Sequence, residues 1–302
     1  MFDNITARIR ARVRRFLGVD VLQDQTDQIK ALQAQLERLE RIVYALEESH
    51  YHSIGDPRPR RDNIFVGGAD DFQAMGEHFL DRFKRLCGLQ PHERILDVGC
   101  GIGRIALPLT KYLDVQGTYE GFDIVPEGIE WCNANITPRY PNFHFQLANV
   151  FNQLYNPGGR FQPKEYQFPY ADATFDFVFL TSVFTHMLPD DMEHYLNEIA
   201  RVLRAGGRCL ITFFLWNAEV AQLIENGKSH FVFGFDCGSY RLKDAASPES
   251  AVCYDQPYVL NLFEKYKLST DLAIYYGEWC GRPNYESGQD MIVAWKGNST
   301  AN

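Results

Sequence analysis

The chain has 302 residues, 45 % of them hydrophobic, 14 % aromatic and 23 % charged, with a formal net charge of −9. This composition is ordinary for a globular protein of one or two domains, and the acidic balance argues against a general nucleic-acid binder. No apolar run approaches the roughly 18 residues of a membrane span and no signal-peptide core stands near the start, while seven scattered cysteines (Cys87, Cys100, Cys132, Cys209, Cys237, Cys253, Cys280) lack Cys-x-x-Cys spacing, arguing against a disulfide framework or structural zinc and for a reducing cytoplasm.

Residues 1–17 carry Arg8, Arg10, Arg12, Arg14 and Arg15 against Asp3 alone, a local +4 that leaves −13 on the remainder. Phe2, Ile5, Ile9, Val13 and Phe16 recur there at helical spacing, which predicts a basic amphipathic helix. Contact with the inner face of a membrane, docking on its own protein and an organelle transit peptide are its three readings. Gly18 breaks the pattern. Leu22, Gln25, Ile29, Leu32, Leu36, Leu39, Val43 and Leu46 then follow a three–four repeat, predicting a coiled coil that joins copies of the chain and leans towards a parallel dimer. Ile42 widens that apolar face, so packing back on the same chain stays open. Residues 51–63 contain Asp56-Pro57-Arg58-Pro59-Arg60-Arg61 and read as a linker.

From residue 64 to 297 helices and strands alternate. A helix is predicted at Phe72–Cys87. Seven β-rich runs lie at Arg94–Val98, Thr118–Asp123, Phe143–Val150, Phe175–Leu180, Arg208–Leu215, Leu272–Tyr276 and Met291–Lys296, with helical patterns at Asp190–Leu203 and Pro257–Tyr266 among them. That alternation implies an α/β fold, a mostly parallel sheet covered on both faces. Residues 298–302 form a short tail.

The run Arg94-Ile95-Leu96-Asp97-Val98 leads directly into Gly99-Cys100-Gly101-Ile102-Gly103. Strand, glycine turn and helix in this order place a ligand at the carboxyl end of the first strand. Arg104 stands where a dinucleotide fingerprint has Gly or Ala. Asp97 would repel a pyrophosphate but suits an ammonium group, and Asp123, ending the next strand, suits ribose hydroxyls. An amine and a ribose without phosphates describe S-adenosylmethionine. With these features in place, the chain resembles the class I S-adenosylmethionine-dependent methyltransferases. Leu96-Asp-Val-Gly-Cys-Gly-Ile-Gly103 is similar to their first motif and Gly121-Phe-Asp123 to their ribose-binding acid. Phe175–Val183 resembles their fourth strand and the loop after it, and Glu198–Gly207 their approach to strand five.

The resemblance implies a doubly wound, Rossmann-like, seven-stranded sheet and a cofactor site formed by Asp97, Gly99, Gly101, Gly103, Asp123, Ile124, Asn149, Val150 and Thr181. Two positions depart from the family pattern. Ala205 stands in place of a frequent Pro, and Asn149 in place of a frequent Asp that bonds the adenine amine; the Val150 N–H is the expected partner of a ring nitrogen. Methyl transfer to a hydroxyl needs a base, and His186, in the loop after strand four, is the candidate. Asp190 and Asp191 read as caps of the following helix, and no metal-ligand spacing is found. Two segments exceed the minimal fold, Asn152–Tyr170 and Trp216–Asp255, and both are expected to shape the acceptor pocket. The second carries Phe231, Phe233, Phe235, Tyr240, Arg241 and Tyr254.

Ser182–His186, Glu278–Arg282 and Gly288–Ala294 resemble bacterial methyltransferases of glycan and polysaccharide assembly, which implies a sugar hydroxyl of a glycan or lipid-linked glycan as acceptor. A phenolic or polyketide-like small molecule is the enzymatic alternative, and a non-catalytic cofactor-binding scaffold is the third reading.

Overall fold

The computed structural model describes residues 19–53, 57–59, 64–65, 72–268 and 273–297. The basic segment 1–17, Gly18 and the tail 298–302 lie outside the described residues. The chain divides into two units, residues 1–61 and 62–302. In the first, α1 spans Val19–Ser53, ending three residues inside the stretch expected as a linker. Leu, Gln, Ala, Glu and Arg dominate it and neither Gly nor Pro interrupts it, which favours one long helix. Ile29, Leu32, Leu36, Leu39, Ile42, Val43 and Leu46 are 47–67 % exposed along it. Among the described residues no helix is long and apolar enough to cross a membrane.

In the second unit, α2 (Phe72–Cys87) buries Phe72, Gly76, Phe79, Phe83 and Cys87 on one stripe. The strands β1 (Arg94–Val98), β2 (Thr118–Asp123), β3 (Phe143–Leu147), β4 (Phe175–Leu180), β5 (Leu203–Phe213), β10 (Ala273–Tyr275) and β11 (Asp290–Trp295) form one sheet in the order β10-β11-β5-β4-β1-β2-β3. The pairs from β5 to β3 are parallel, while β11 runs antiparallel to β5 and β10 antiparallel to β11. The sheet is therefore mixed, with a parallel centre and an antiparallel edge.

Alternation along the strands builds a core on each face. Leu96, Val98, Val178, Leu180 and Ile211 pack on one side with α5 (Pro189–Val202) and α7 (Gln256–Lys265). Ile95, Phe177, Phe179, Leu210 and Val293 pack on the other with α2, α3 (Ala106–Leu109) and α4 (Pro126–Asn135). Phe83 anchors α2, with its ring 5.0 Å from Phe177 and 4.5 Å from Phe179. The direction of winding reverses between β1 and β4, which leaves a crevice at their carboxyl ends, where open α/β sheets bind ligands.

Four differences from expectation stand out. β3 ends at Leu147, not Val150, because the Ala148 N–H donates to the Asp123 carbonyl and the Asn149 carbonyl turns to the N–H groups of Arg160 and Phe161. β5 begins five residues before Arg208: Leu203 pairs with Phe175 and Arg208 with Phe177, so residues 204–207 bulge out of register. The segment after β5 folds as α6 (Ala218–Glu225) and a second sheet of β6 (Leu215–Trp216), β7 (Phe235–Asp236), β8 (Tyr240–Leu242) and β9 (Val252–Asp255), in the order β6-β9-β8-β7. Finally, Leu188 rather than either aspartate is the N-cap of α5. Asp190 and Asp191 occupy its first turn, where they face the positive end of the helix dipole, and Asp191 accepts from the Lys164 N–H.

Candidate active site

A cavity of about 310 Å³ opens at the carboxyl ends of β1, β2 and β4. Asp97, Gly99, Gly101, Asp123, Ile124, Val150, Thr181 and His186 line it, so eight of the ten expected site residues are brought together. Gly103 and Asn149 are not among its lining residues.

The glycine turn is held by β2. The Gly99 and Cys100 N–H groups both donate to the Phe122 carbonyl, at 2.9 and 3.1 Å, and the Gly101 N–H donates to Asp123 Oδ2 at 2.7 Å. Gly103 donates to the Cys100 carbonyl. These donors are therefore committed within the chain, so the loop offers close approach rather than a phosphate cradle. Gly99 takes φ +85°, and a Cβ there would lie 2.4 Å from Val183 Cγ2, so only glycine admits the β4 loop against the turn. Gly103 has the same kind of role away from the cavity: a Cβ would meet Cys132 Sγ at 2.9 Å.

Asp97 is 1 % exposed. Its Oδ2 accepts from the Tyr119 hydroxyl at 2.6 Å, while its Oδ1 has no hydrogen-bond partner. Burial pushes this carboxyl up to about 8, Tyr119's hydrogen bond opposes the rise, and the Asp123 charge adds to it. A buried acceptor without a donor is costly, and a cationic ligand supplies the missing partner. Asp123 differs. Burial raises it too, but Oδ1 accepts from the Val125 N–H at 2.9 Å and Oδ2 from Gly101, which favours its charged form. Each oxygen keeps a lone pair for a ligand hydroxyl. An ammonium partner and a diol partner at the two strand ends, beside a phosphate-free turn, fit S-adenosylmethionine.

Asn149 is used by the fold. Its Oδ1 accepts from the Arg160 N–H at 3.0 Å, starting the insertion. Val150 lines the cavity, and its N–H donates to the Ala148 carbonyl.

Across the cavity, Ser182 sits at φ +59°, an unusual conformation for a residue with a side chain. Its N–H donates to Thr212 Oγ1 at 2.8 Å and its hydroxyl to Gln289 Oε1 at 3.2 Å. The strained turn leads into a single 3₁₀ turn, Phe184–His186. There His186 Nδ1 lies 2.9 Å from the Glu249 carbonyl. A carbonyl only accepts, so Nδ1 carries the proton and Nε2 is left as the basic nitrogen. Burial lowers the His186 pKa, with the carbonyl contact opposing it, which keeps the ring neutral near pH 7. The Tyr155 ring stands edge-on to His186 at 5.8 Å, and Glu249 Oε2 accepts from the Gln153 N–H.

Both extra segments therefore reach the cavity, through Asn152, Tyr155 and Pro163 from the first and Glu249 from the second. The aromatics of the second do not line it. Phe231 and Phe233 pack instead with Phe214 and Trp279 in a separate core that supports the small sheet. Residues that the motifs did not single out include Phe65, Tyr119, Ser182, Glu249 and Gln289. Of these, Tyr119 had a readable signal, since it shares a sheet face with Gly121 by the period-two rule. Among the described residues no cluster of three or more His, Cys, Asp or Glu could hold a metal ion.

The geometry agrees with what the chain resembles. A family model described as "Methyltransferase domain" matches residues 96–211. The 27-O-demethylrifamycin SV methyltransferase of Amycolatopsis mediterranei is 30 % identical over 208 residues, which cover 63 % of this chain and 68 % of that protein. The O-methyltransferase cnsE of Penicillium expansum is 31 % identical over 156 residues, or 49 % of this chain and 50 % of that protein. The chain spans about half the length of cnsE and of three further curated relatives it matches. The solved PH0226 protein of Pyrococcus horikoshii shares the fold, with a TM-score of 0.51 at 16 % identity over 75 % of this chain and 91 % of that one.

Proposed function

Since the chain belongs to the class I S-adenosylmethionine-dependent methyltransferases, with S-adenosylmethionine as methyl donor, we propose that it is an O-methyltransferase of a phenolic or polyketide-like small molecule and that His186 is its general base. Family membership makes it an enzyme rather than the scaffold that the sequence also allowed. Bound S-adenosylmethionine supplies an electrophilic methyl group on its sulfonium. Asp97 Oδ1 takes the ammonium end, Asp123 the ribose hydroxyls, and Ile124 and Val150 offer apolar flanks to the base. His186 Nε2 accepts the acceptor's hydroxyl proton as the oxygen becomes nucleophilic. Tyr155 and Glu249, from the extra segments, stand against the same side chain and restrict water.

The observation that carries this reading is the Nδ1 hydrogen bond to Glu249, because it fixes the tautomer a base requires. The choice of acceptor is supported by two things. The names of the relatives above include a small molecule, 27-O-demethylrifamycin SV, and an O-methyltransferase. The segments that suggested a glycan acceptor have a structural use. Asp290 and Arg282, from Gly288–Ala294 and Glu278–Arg282, form a buried ion pair with Nη1 and Oδ1 2.9 Å apart.

A methyl-transfer assay with labelled cofactor against catechols, polyketide-like phenols, nucleotide sugars and lipid-linked glycans tests the proposal. Transfer to the phenolic set is expected, and transfer confined to the sugars contradicts it. His186→Ala should lower turnover about 10²-fold or more and leave cofactor affinity unchanged; unchanged turnover would leave His186 with a positioning role alone.

We propose further that the exposed stripe of α1 pairs with a second copy as a parallel coiled coil. Deleting residues 1–50 should then reduce the mass in sedimentation, and an unchanged mass refutes the pairing.

A further inference from the structure

Asp97 is wholly buried, yet one of its oxygens has no partner and the other is gripped by a single hydroxyl. That hydroxyl is Tyr119, on the neighbouring strand. In the parallel register Ile95 pairs with Tyr119 and Asp97 with Gly121. The glycine beside Asp97 lets the tyrosine ring lie along the strand and reach the carboxylate. A Cβ at Gly121 would come within 3.0 Å of both Tyr119 Cε1 and Cys100 Cβ. The ring is fixed on its far side too. It stacks on Phe143 at 5.0 Å and 18°, and meets Phe145 at 5.4 Å. Burial and the neighbouring Asp97 push the Tyr119 phenol far up, so it remains protonated and donates.

We propose that Tyr119 is a positioning residue for donor recognition: by holding Oδ2 it fixes the rotation of the Asp97 carboxylate and leaves Oδ1 directed to the amino-acid end of the cofactor. The inference rests on reading Asp97 as the ammonium partner. A carboxylate held by one fixed hydroxyl has its remaining oxygen defined before the ligand arrives, which is what preorganisation requires. A hydroxyl whose only duty was to satisfy a core tyrosine could use any carbonyl. This one uses the side chain that borders the cavity. Tyr119 itself lies behind Asp97 and is not among the residues lining the cavity, so it acts through the carboxylate.

The test compares two ligands that share the adenosine part and differ in the amino-acid part. Dissociation constants of the full chain for S-adenosylhomocysteine and for 5′-methylthioadenosine, which has no ammonium group, are measured by calorimetry for wild type, Tyr119→Phe and Asp97→Ala. Tyr119→Phe keeps the ring stack and removes one oxygen. It should weaken S-adenosylhomocysteine about tenfold or more, as expected for a hydrogen bond to a charged group, and change 5′-methylthioadenosine less than about twofold. Equal weakening of both ligands means a general structural role and overturns the proposal. If Tyr119→Phe leaves both affinities unchanged while Asp97→Ala weakens S-adenosylhomocysteine alone, the tyrosine's role is overturned and the ammonium site stands. If Asp97→Ala shows no selective loss, the ammonium reading fails and the proposal with it.

Discussion

Two buried aspartates in one sheet differ in the donors they hold, and we read that difference as binding against support. Asp97, next to last in β1, and Asp290, opening β11, are 1 % and 0 % exposed, and burial raises the pKa of both. Asp290 is saturated. Its Oδ1 accepts from the Gly277 N–H and from Arg282, its Oδ2 from the Leu215 N–H and the Trp279 indole, all at 2.8–2.9 Å. Asp97 has one donor and a free oxygen. The Asp290 carboxylate ties the loop before β11 to the start of β6, and so sets Gln289 at the rim of the cavity. The Asp97 carboxylate is unfinished, and we propose that a ligand completes it. Burial and a raised pKa are common to both, so neither identifies a site; the count of donors does.

Substitutions can sharpen this contrast or break it. Asp97→Asn keeps an acceptor for Tyr119 and removes the charge. Losing one partner of a buried charge pair costs about 2–5 kcal/mol, so donor affinity should fall by about 30-fold or more. The free fold should not suffer. Its pKa of about 8 lies above the ordinary 3.8, so the folded protein binds this proton more tightly than the unfolded chain does. The associated stability is fully present below pH 4 and is lost as pH rises through 8. Asp97→Asn should therefore melt at or above wild type in thermal scans, with a gap that widens from pH 5 to pH 9. A lower melting temperature throughout would make Asp97 a support like Asp290.

Asp290→Ala should show the opposite behaviour. It leaves three N–H donors without their acceptor and Arg282 with Glu219 as its remaining ion-pair partner, a loss of about 3–5 kcal/mol. The melting temperature should drop by roughly 10 °C, with donor affinity below the transition little changed. A large loss of affinity in the folded variant would break the contrast from the other side. The smallest effect belongs to Asn149→Asp. Its side-chain oxygen already serves the Arg160 N–H, and a carboxylate can serve it equally, so the donor dissociation constant should move by less than about twofold. A clear gain in affinity would show that position 149 meets the adenine amine after all.

Much of the site is legible in the chain because its parts are local. Asp97, Gly99 and Gly101 are one strand end and one turn, and Asp123 ends the next strand, so order and spacing suffice to find them. What escaped depends on register or on distant segments. Tyr119 reaches Asp97 only because Gly121 is its neighbour across the pair. The carbonyl that sets the His186 tautomer comes from Glu249, 63 residues further on. Asn149 stands two residues after the end of β3, and the use of its side-chain oxygen by the Arg160 N–H depends on the fold of the insertion rather than on strand spacing. The small sheet leaves no trace in the sequence, because strands of two to four residues carry too little alternation. The segments 278–282 and 288–294, which resemble glycan methyltransferases in sequence, hold a buried ion pair between Arg282 and Asp290 that their spacing does not reveal.

The central claim is that the free oxygen of Asp97 is completed by the donor's ammonium group. Calorimetric titration of S-adenosylhomocysteine at pH 7, in buffers of different ionisation enthalpy, tests it most directly. With a carboxyl raised to about 8, most of one proton should leave the protein on binding, and this release should fall as pH rises through 8 and vanish in Asp97→Asn. Binding to wild type with no proton released at pH 7, or the same release in the variant, would contradict the account.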